Sequence, residues 1–174
     1  VAAEKIFDNY SFDLIYGLPE QTVKQWQIEL EEALKLARHH ISLYQLTIEK
    51  GTAFYSAFKK GQWQLPKEEI LAEIYDLTHQ MCEAANLPYY EVSNFARAGK
   101  ECRHNLSYWQ SDDYLGIGAG AHSRIKFKDE KHISALMNKH EPNNWLDSIK
   151  ENHHALQTKE IIKPAERFDE VIMM

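Results

Sequence analysis

Three stretches of the sequence bring chemically capable side chains together. The first is Ser11–Leu18 (SFDLIYGL), an apolar run broken by one acid, Asp13. A carboxylate inside such a run costs several kcal/mol unless it is paired. Asp13 therefore either meets a cation from a neighbouring strand or serves a ligand. Ligands in α/β folds sit at the carboxyl ends of parallel strands, where a carboxylate suits a ribose diol or an amino group. The second stretch is Cys102–Trp109 (CRHNLSYW). A neutral imidazole at His104 can ligate haem iron, with Tyr108 and Trp109 flanking a porphyrin face. Asn105 can fix the segment by bonding its own backbone. The same residues also suit a capped turn with its aromatics in the core. Cys102 and His104 alone are too few for zinc. The third stretch is Gly116-Ile-Gly118-Ala-Gly120-Ala-His122. Its spacing is not that of a dinucleotide fingerprint. The missing Cβ atoms admit either a bulky ligand or a second backbone.

These residues need elements to hold them. Ser11–Leu18 reads as a strand buried on both faces, ended by Gly17 and Pro19. Thr22 and Gln25 form a capping box, followed by the stripe Val23, Trp26, Leu30, Ala33, Leu34, Ala37 of an amphipathic helix. Ile41–Ile48 is a second strand, so the segment is a βαβ unit with parallel strands and a right-handed crossover. A connection over 49–65 leads to a helix that starts near Pro66, with the stripe Ile70, Leu71, Ile74, Leu77, Met81, Ala84, Ala85. Tyr89–Phe95 reads as a strand, and 96–110 shows no period. Tyr114–Ile125 reads as a strand with a tight turn, and 126–139 as a mobile loop. Helices are expected over 142–152 and 165–174. Val1–Asn9 resembles the tail of a helix, and Phe168–Met174 is an apolar helical run with no cap, so the sequence reads as an internal piece of a longer protein.

Composition sets the outer bounds. Of 174 residues, 44% are hydrophobic and 11% aromatic, which excludes a disordered chain. No stretch approaches the roughly 18 apolar residues of a membrane span, and no signal peptide opens the sequence. A net charge of −6 argues against a nucleic-acid partner. The two cysteines, Cys82 and Cys102, read as reduced thiols of a cytoplasmic protein. The pairs His39-His40 and His153-His154 read as solvated surface. There is no GxSxG, Walker loop, HExxH or CxxxCxxC.

The segments DLIYGLPEQT (13–22), LYQLTIEKGT (43–52), YYEVSNFARAG (89–99), CRHNLSYW (102–109) and DYLGIGAGAHS (113–123), in this order, resemble the oxygen-independent coproporphyrinogen III oxidase family of radical S-adenosylmethionine proteins. The string HNLSYW is similar to its haem-chaperone (HemW) branch. The resemblance spans residues 4 to 125 and continues weakly beyond. It implies a partial (β/α)6 barrel of α/β class that binds a 4Fe–4S cluster and S-adenosylmethionine. Residues 1–60 would be the last βαβ unit, 61–125 would complete the barrel and the haem motif, and 126–174 would begin a C-terminal helical domain. The cluster cysteines would lie outside this sequence, so the isolated chain should hold no cluster and be inactive. Asp13 would contact S-adenosylmethionine, mostly buried beside an open polar pocket, with Thr47, Ala121 and His122 near the same cofactor. His104, Asn105, Tyr108 and Trp109 would serve haem, with His104 on the iron. The partners implied are haem or porphyrin and haem-accepting proteins. A glutamine of the oxidase branch has no counterpart in HNLSYW, which favours a haem chaperone over oxidative decarboxylation of coproporphyrinogen III to protoporphyrinogen IX. A non-catalytic α/β interaction module is the third reading.

Overall fold

The computed structural model describes residues 2–173, which form a mixed α/β chain of two compact units that divide between Cys102 and Arg103. The first unit opens with α1 (Ala2–Ile6) and holds a three-stranded sheet in the order β1 (Asp13–Tyr16), β2 (His40–Gln45), β3 (Asn94–Ala96). β1 and β2 are parallel, with Asp13 opposite Ser42 and Ile15 opposite Tyr44; β3 runs antiparallel to β2, with Ser42 opposite Asn94. The crossover is α2 (Val23–Leu36), and both halves of the expected capping box at Thr22 and Gln25 form. α3 (Ala53–Lys59) lies in the stretch expected to be a plain connection, and α4 (Glu68–Ala84) follows.

The period of 3.6 in α2 and of 2 in the strands meets on one side of the sheet. Tyr16, Ile41, Leu43 and Phe95 pack with Trp26, Leu30 and Ala33 of α2 and Ile74 and Cys82 of α4. Burying each large side chain stabilises the unit by about 1.5–3 kcal/mol. Trp26 is 1% exposed, so its indole N–H needs a partner, and Thr78 Oγ1 accepts from it at 2.8 Å. This bond joins the two helices across the core.

The second unit begins with α5 (Arg103–Trp109) and holds an antiparallel sheet of β4 (His122–Lys126), β5 (Ile133–Asn138) and β6 (Leu156–Ile161). α6 (Pro142–Asn152) connects β5 to β6, and α7 (Pro164–Met173) follows. Several expectations are corrected here. The supposed loop 126–139 contains β5, whose residues Ile133, Ala135 and Met137 gain their partners only from β4 and β6. Residues 103–109, read without period, are helical. The strand expected over 114–125 is confined to 122–126, with Tyr114 making a single bridge to Arg124. The strand expected over 89–95 reduces to Asn94–Ala96 and a bridge between Tyr89 and Phe95. β6 had no signal, since its sequence LQTKEI is mostly polar.

Candidate functional site

In the first unit the helix-packed side of the sheet is apolar and the other side is polar. Asp13, Ser42 and Asn94 stand opposite one another across β1, β2 and β3, so they form one row on one face. Asp13 is exposed, contrary to the expectation that it is mostly buried. The physical reason is the alternation of the strand: Leu14 and Tyr16 turn towards the helices, which leaves Asp13 and Ile15 on the open side. Among the described residues no ion pair to Asp13 forms.

His40 lies beside this row and is 3% exposed, although the His39-His40 pair reads as surface from sequence. Its Nδ1 is 2.7 Å from Ser11 Oγ and its Nε2 is 2.7 Å from Tyr90 Oη. Burial pushes the imidazole below its usual 6.5, opposed by the charges of Asp13, Glu91 and Glu101. Tyr90 Oη in turn accepts the Cys102 N–H at 3.3 Å. Asn94 Nδ2 donates to Glu91, which also accepts the Ser93 N–H. His40, Tyr90, Glu91 and Asn94 escaped the sequence reading. Their signal was the two-residue period in β2 that places His40, Ser42 and Tyr44 on one face with Asp13.

The carboxyl end of β1 is fixed by a side chain. Gln21 Oε1 accepts the backbone N–H groups of Gly17 at 2.7 Å and Leu18 at 3.3 Å, while Gln21 Nε2 donates to Glu29 at 2.9 Å. Gly17 adopts φ +74°, and a Cβ there would stand 2.9 Å from Leu71 Cδ2. Thr47 is exposed, two residues beyond the end of β2. Asp13 opens β1 and so stands at its amino end, contrary to the expectation of a carboxylate at the carboxyl ends, whereas the held turn and Thr47 follow the carboxyl ends of β1 and β2.

In the second unit His104, Asn105, Tyr108 and Trp109 all lie on α5. His104 and Tyr108 are one turn apart, with ring centroids 4.9 Å apart and planes at 90°. His104 is exposed, while Asn105, Tyr108 and Trp109 are half-buried. Four residues of one short helix therefore present an accessible imidazole with a tyrosine ring edge-on behind it. That arrangement suits haem iron ligation with aromatic support. The turn expected from sequence is replaced by this helix. The tightest point of the glycine run is explained by a second backbone: a Cβ on Gly116 would lie 2.1 Å from His122 O. Ala121 is half-buried, its carbonyl accepting the Asn138 N–H at 2.9 Å, and His122 is exposed at the start of β4.

The chain's own residues do not fit an iron–sulfur cluster. Among the described residues no three His, Cys, Asp or Glu side chains are grouped to hold a metal. Cys82 is 0% exposed in the core, and burial pushes its thiol up to about 12, the wrong direction for a thiolate ligand. Among the described residues no helix is long and apolar enough to cross a membrane.

No family model matches the chain. The fold aligns over 99% of the chain with 41% of the solved coproporphyrinogen III oxidase HemN of Escherichia coli, a radical SAM enzyme, with a TM-score of 0.73 at 19% identity. The architecture is thus that of part of a radical SAM protein. At the sequence level the chain is 45% identical over 124 residues to the heme chaperone HemW of Bacillus subtilis, covering 71% of this chain and 33% of that protein. It is 38% identical over 132 residues to HemW of E. coli, covering 76% and 34%. It is 35% identical over 179 residues to the mitochondrial radical S-adenosyl methionine domain-containing protein 1 of Bos taurus, covering 99% and 40%. The chain belongs with these homologues in the radical SAM family, and spans 33–40% of the length of these relatives.

Proposed function

We propose that this chain is the part of a HemW-like radical SAM protein of haem metabolism that offers the Asp13 carboxylate to S-adenosylmethionine and an imidazole to haem. The observation that carries the reading is the 45% identity to a heme chaperone across 124 residues, in a sequence that holds Asp13 and HNLSYW in the order the resemblance implies. Asp13 stands on the open face at the start of β1, and its exposed carboxylate accepts hydrogen bonds from a ribose diol or an amino group; Gln21 holds the turn at the other end of β1, and Thr47 follows β2. On α5 the imidazole of His104 would hold haem iron, with Tyr108 beside it on the same helix and Asn105 and Trp109 half-buried beneath. A 4Fe–4S cluster in such a protein would need thiolates that Cys82 and Cys102 of this chain do not supply. A cytoplasmic location follows from the reduced cysteines, although relatives named as mitochondrial exist.

Asp13→Ala in the intact protein tests the first site. Loss of charge-assisted hydrogen bonds costs about 1.5–3 kcal/mol, so S-adenosylmethionine should bind about 10- to 150-fold more weakly by equilibrium dialysis. Unchanged affinity with an unchanged circular dichroism spectrum refutes the assignment. His104→Ala should remove the axial-ligand signature from the Soret band; if affinity and band persist, His104 is structural. The likeness to the HemN fold favours a second reading, oxidative decarboxylation of coproporphyrinogen III. Anaerobic formation of protoporphyrinogen IX by the intact protein would establish it.

A further inference from the structure

We propose that the second unit carries a carboxylate-binding cleft, formed by Arg124, Arg167, Tyr108 and Tyr114, that receives a propionate arm of the tetrapyrrole held at His104. The inference rests on the haem reading above and names the group that this part of the ligand presents. The cleft has a volume of about 170 Å³ and lies among residues of α5, β4, α7 and the segment 111–114. Sites that enclose a whole small molecule run to about 300–1,000 Å³, so this one admits a short arm and not a ring system.

Its chemistry is unusual for the surface of a small sheet. Arg124 donates through Nε and Nη2 to Glu170 Oε1, both at 3.1 Å, and Arg167 donates through Nη1 to Glu170 Oε2 at 3.2 Å. Arg167 Nη2 also donates to the Ser111 carbonyl at 2.5 Å. All three side chains are about three-quarters buried, with exposures of 27%, 24% and 28%. Two guanidiniums thus share one carboxylate, which leaves one positive charge in the cleft beyond what Glu170 neutralises. Asp112 also lines the cleft but is exposed, so water screens its charge more than that of the arginines. Arg124 Nη1 also donates to the Ser123 carbonyl at 3.3 Å, and a second carboxylate would balance the remaining charge through the N–H groups the two guanidiniums have left. Burial raises Tyr114 above its usual 10, so it stays a neutral O–H donor. The cleft is also within reach of the imidazole. The rings run from His104 to Tyr108 at 4.9 Å and from Tyr108 to Tyr114 at 4.5 Å, both rings of which line the cleft.

The test uses the intact protein, haem, haem dimethyl ester and free propionate. Arg167→Gln should weaken haem about tenfold while the dimethyl ester, which has no carboxylates, binds as it does to wild type. Glu170→Gln removes the internal competitor and should tighten haem several-fold, again without changing the ester. Opposite signs from two members of one ion-pair cluster do not arise from a shared loss of stability. Equal losses for haem and ester, or no change in either variant, overturn the proposal. If Arg167→Gln does not fold by circular dichroism, Glu170→Gln decides alone: no gain for haem over ester overturns the cleft. If wild type takes up no haem, the haem reading fails separately, and free propionate decides the cleft. Propionate saturating wild type but not Arg167→Gln upholds a carboxylate site with a free acid as its source, and no propionate binding overturns it.

Discussion

Gln21→Leu should destabilise the first unit and loosen the turn that follows the carboxyl end of β1. Gln21 is 7% exposed and its amide bonds three partners around the turn after β1. Leucine has a similar volume and makes none of these bonds. Leu18 and Glu29 are exposed, so water replaces what they lose. Gly17 is buried, and its N–H keeps no substitute. An orphaned buried donor costs about 1–3 kcal/mol. The added apolar carbon returns at most about 0.8 kcal/mol. With that offset taken in full the net loss is about 0.2–2 kcal/mol. A domain of 60–100 residues shifts by about 4–8 °C per kcal/mol, so the transition of this unit should fall by about 1–15 °C. Differential scanning calorimetry of the intact protein reads this directly, and amide exchange at Gly17 should accelerate. A midpoint within about 1 °C of wild type would refute the premise that Gln21 holds the turn.

Cys82 should be inert to thiol reagents in the native state. With its thiol pushed up to about 12, its thiolate fraction at pH 8 is about a thousandth of that of a thiol near 9. In Cys102→Ser, Ellman's reagent should therefore react only after denaturation, and prompt native labelling would contradict the buried position. His79 is packed against the rings of Tyr75, Tyr89 and Phe95, and burial lowers its pKa, opposed by Asp76. The unfolded state then binds more protons than the folded state as pH falls through 6.5, so stability present above 6.5 is lost below it. His79→Phe should flatten urea midpoints measured between pH 7.5 and 5.5; an unchanged slope would assign the acid sensitivity elsewhere, with His40 the next candidate.

Local chemistry determined much of this protein. The capping box at Thr22 and Gln25, the apolar stripes of α2 and α4 and the βαβ order are written in local sequence patterns, and each formed, although β1 is covered on one face and not both. The family was legible for a similar reason, since five short motifs keep their order along the chain. Tertiary structure decided the rest, because it depends on what lies across space. Whether Asp13 is buried depends on which face of β1 the helices cover, and strand alternation put it on the open one. His40 looked like surface until Ser11 and Tyr90, 29 and 50 residues away, closed on its two nitrogens. β5 and β6 carry weak patterns of their own and became strands through pairing with β4 and with each other. Arg124 and Arg167 carried no motif. Only the approach of β4 and α7 around Glu170 placed two cations at one small cleft, and no spacing along the chain encodes that meeting.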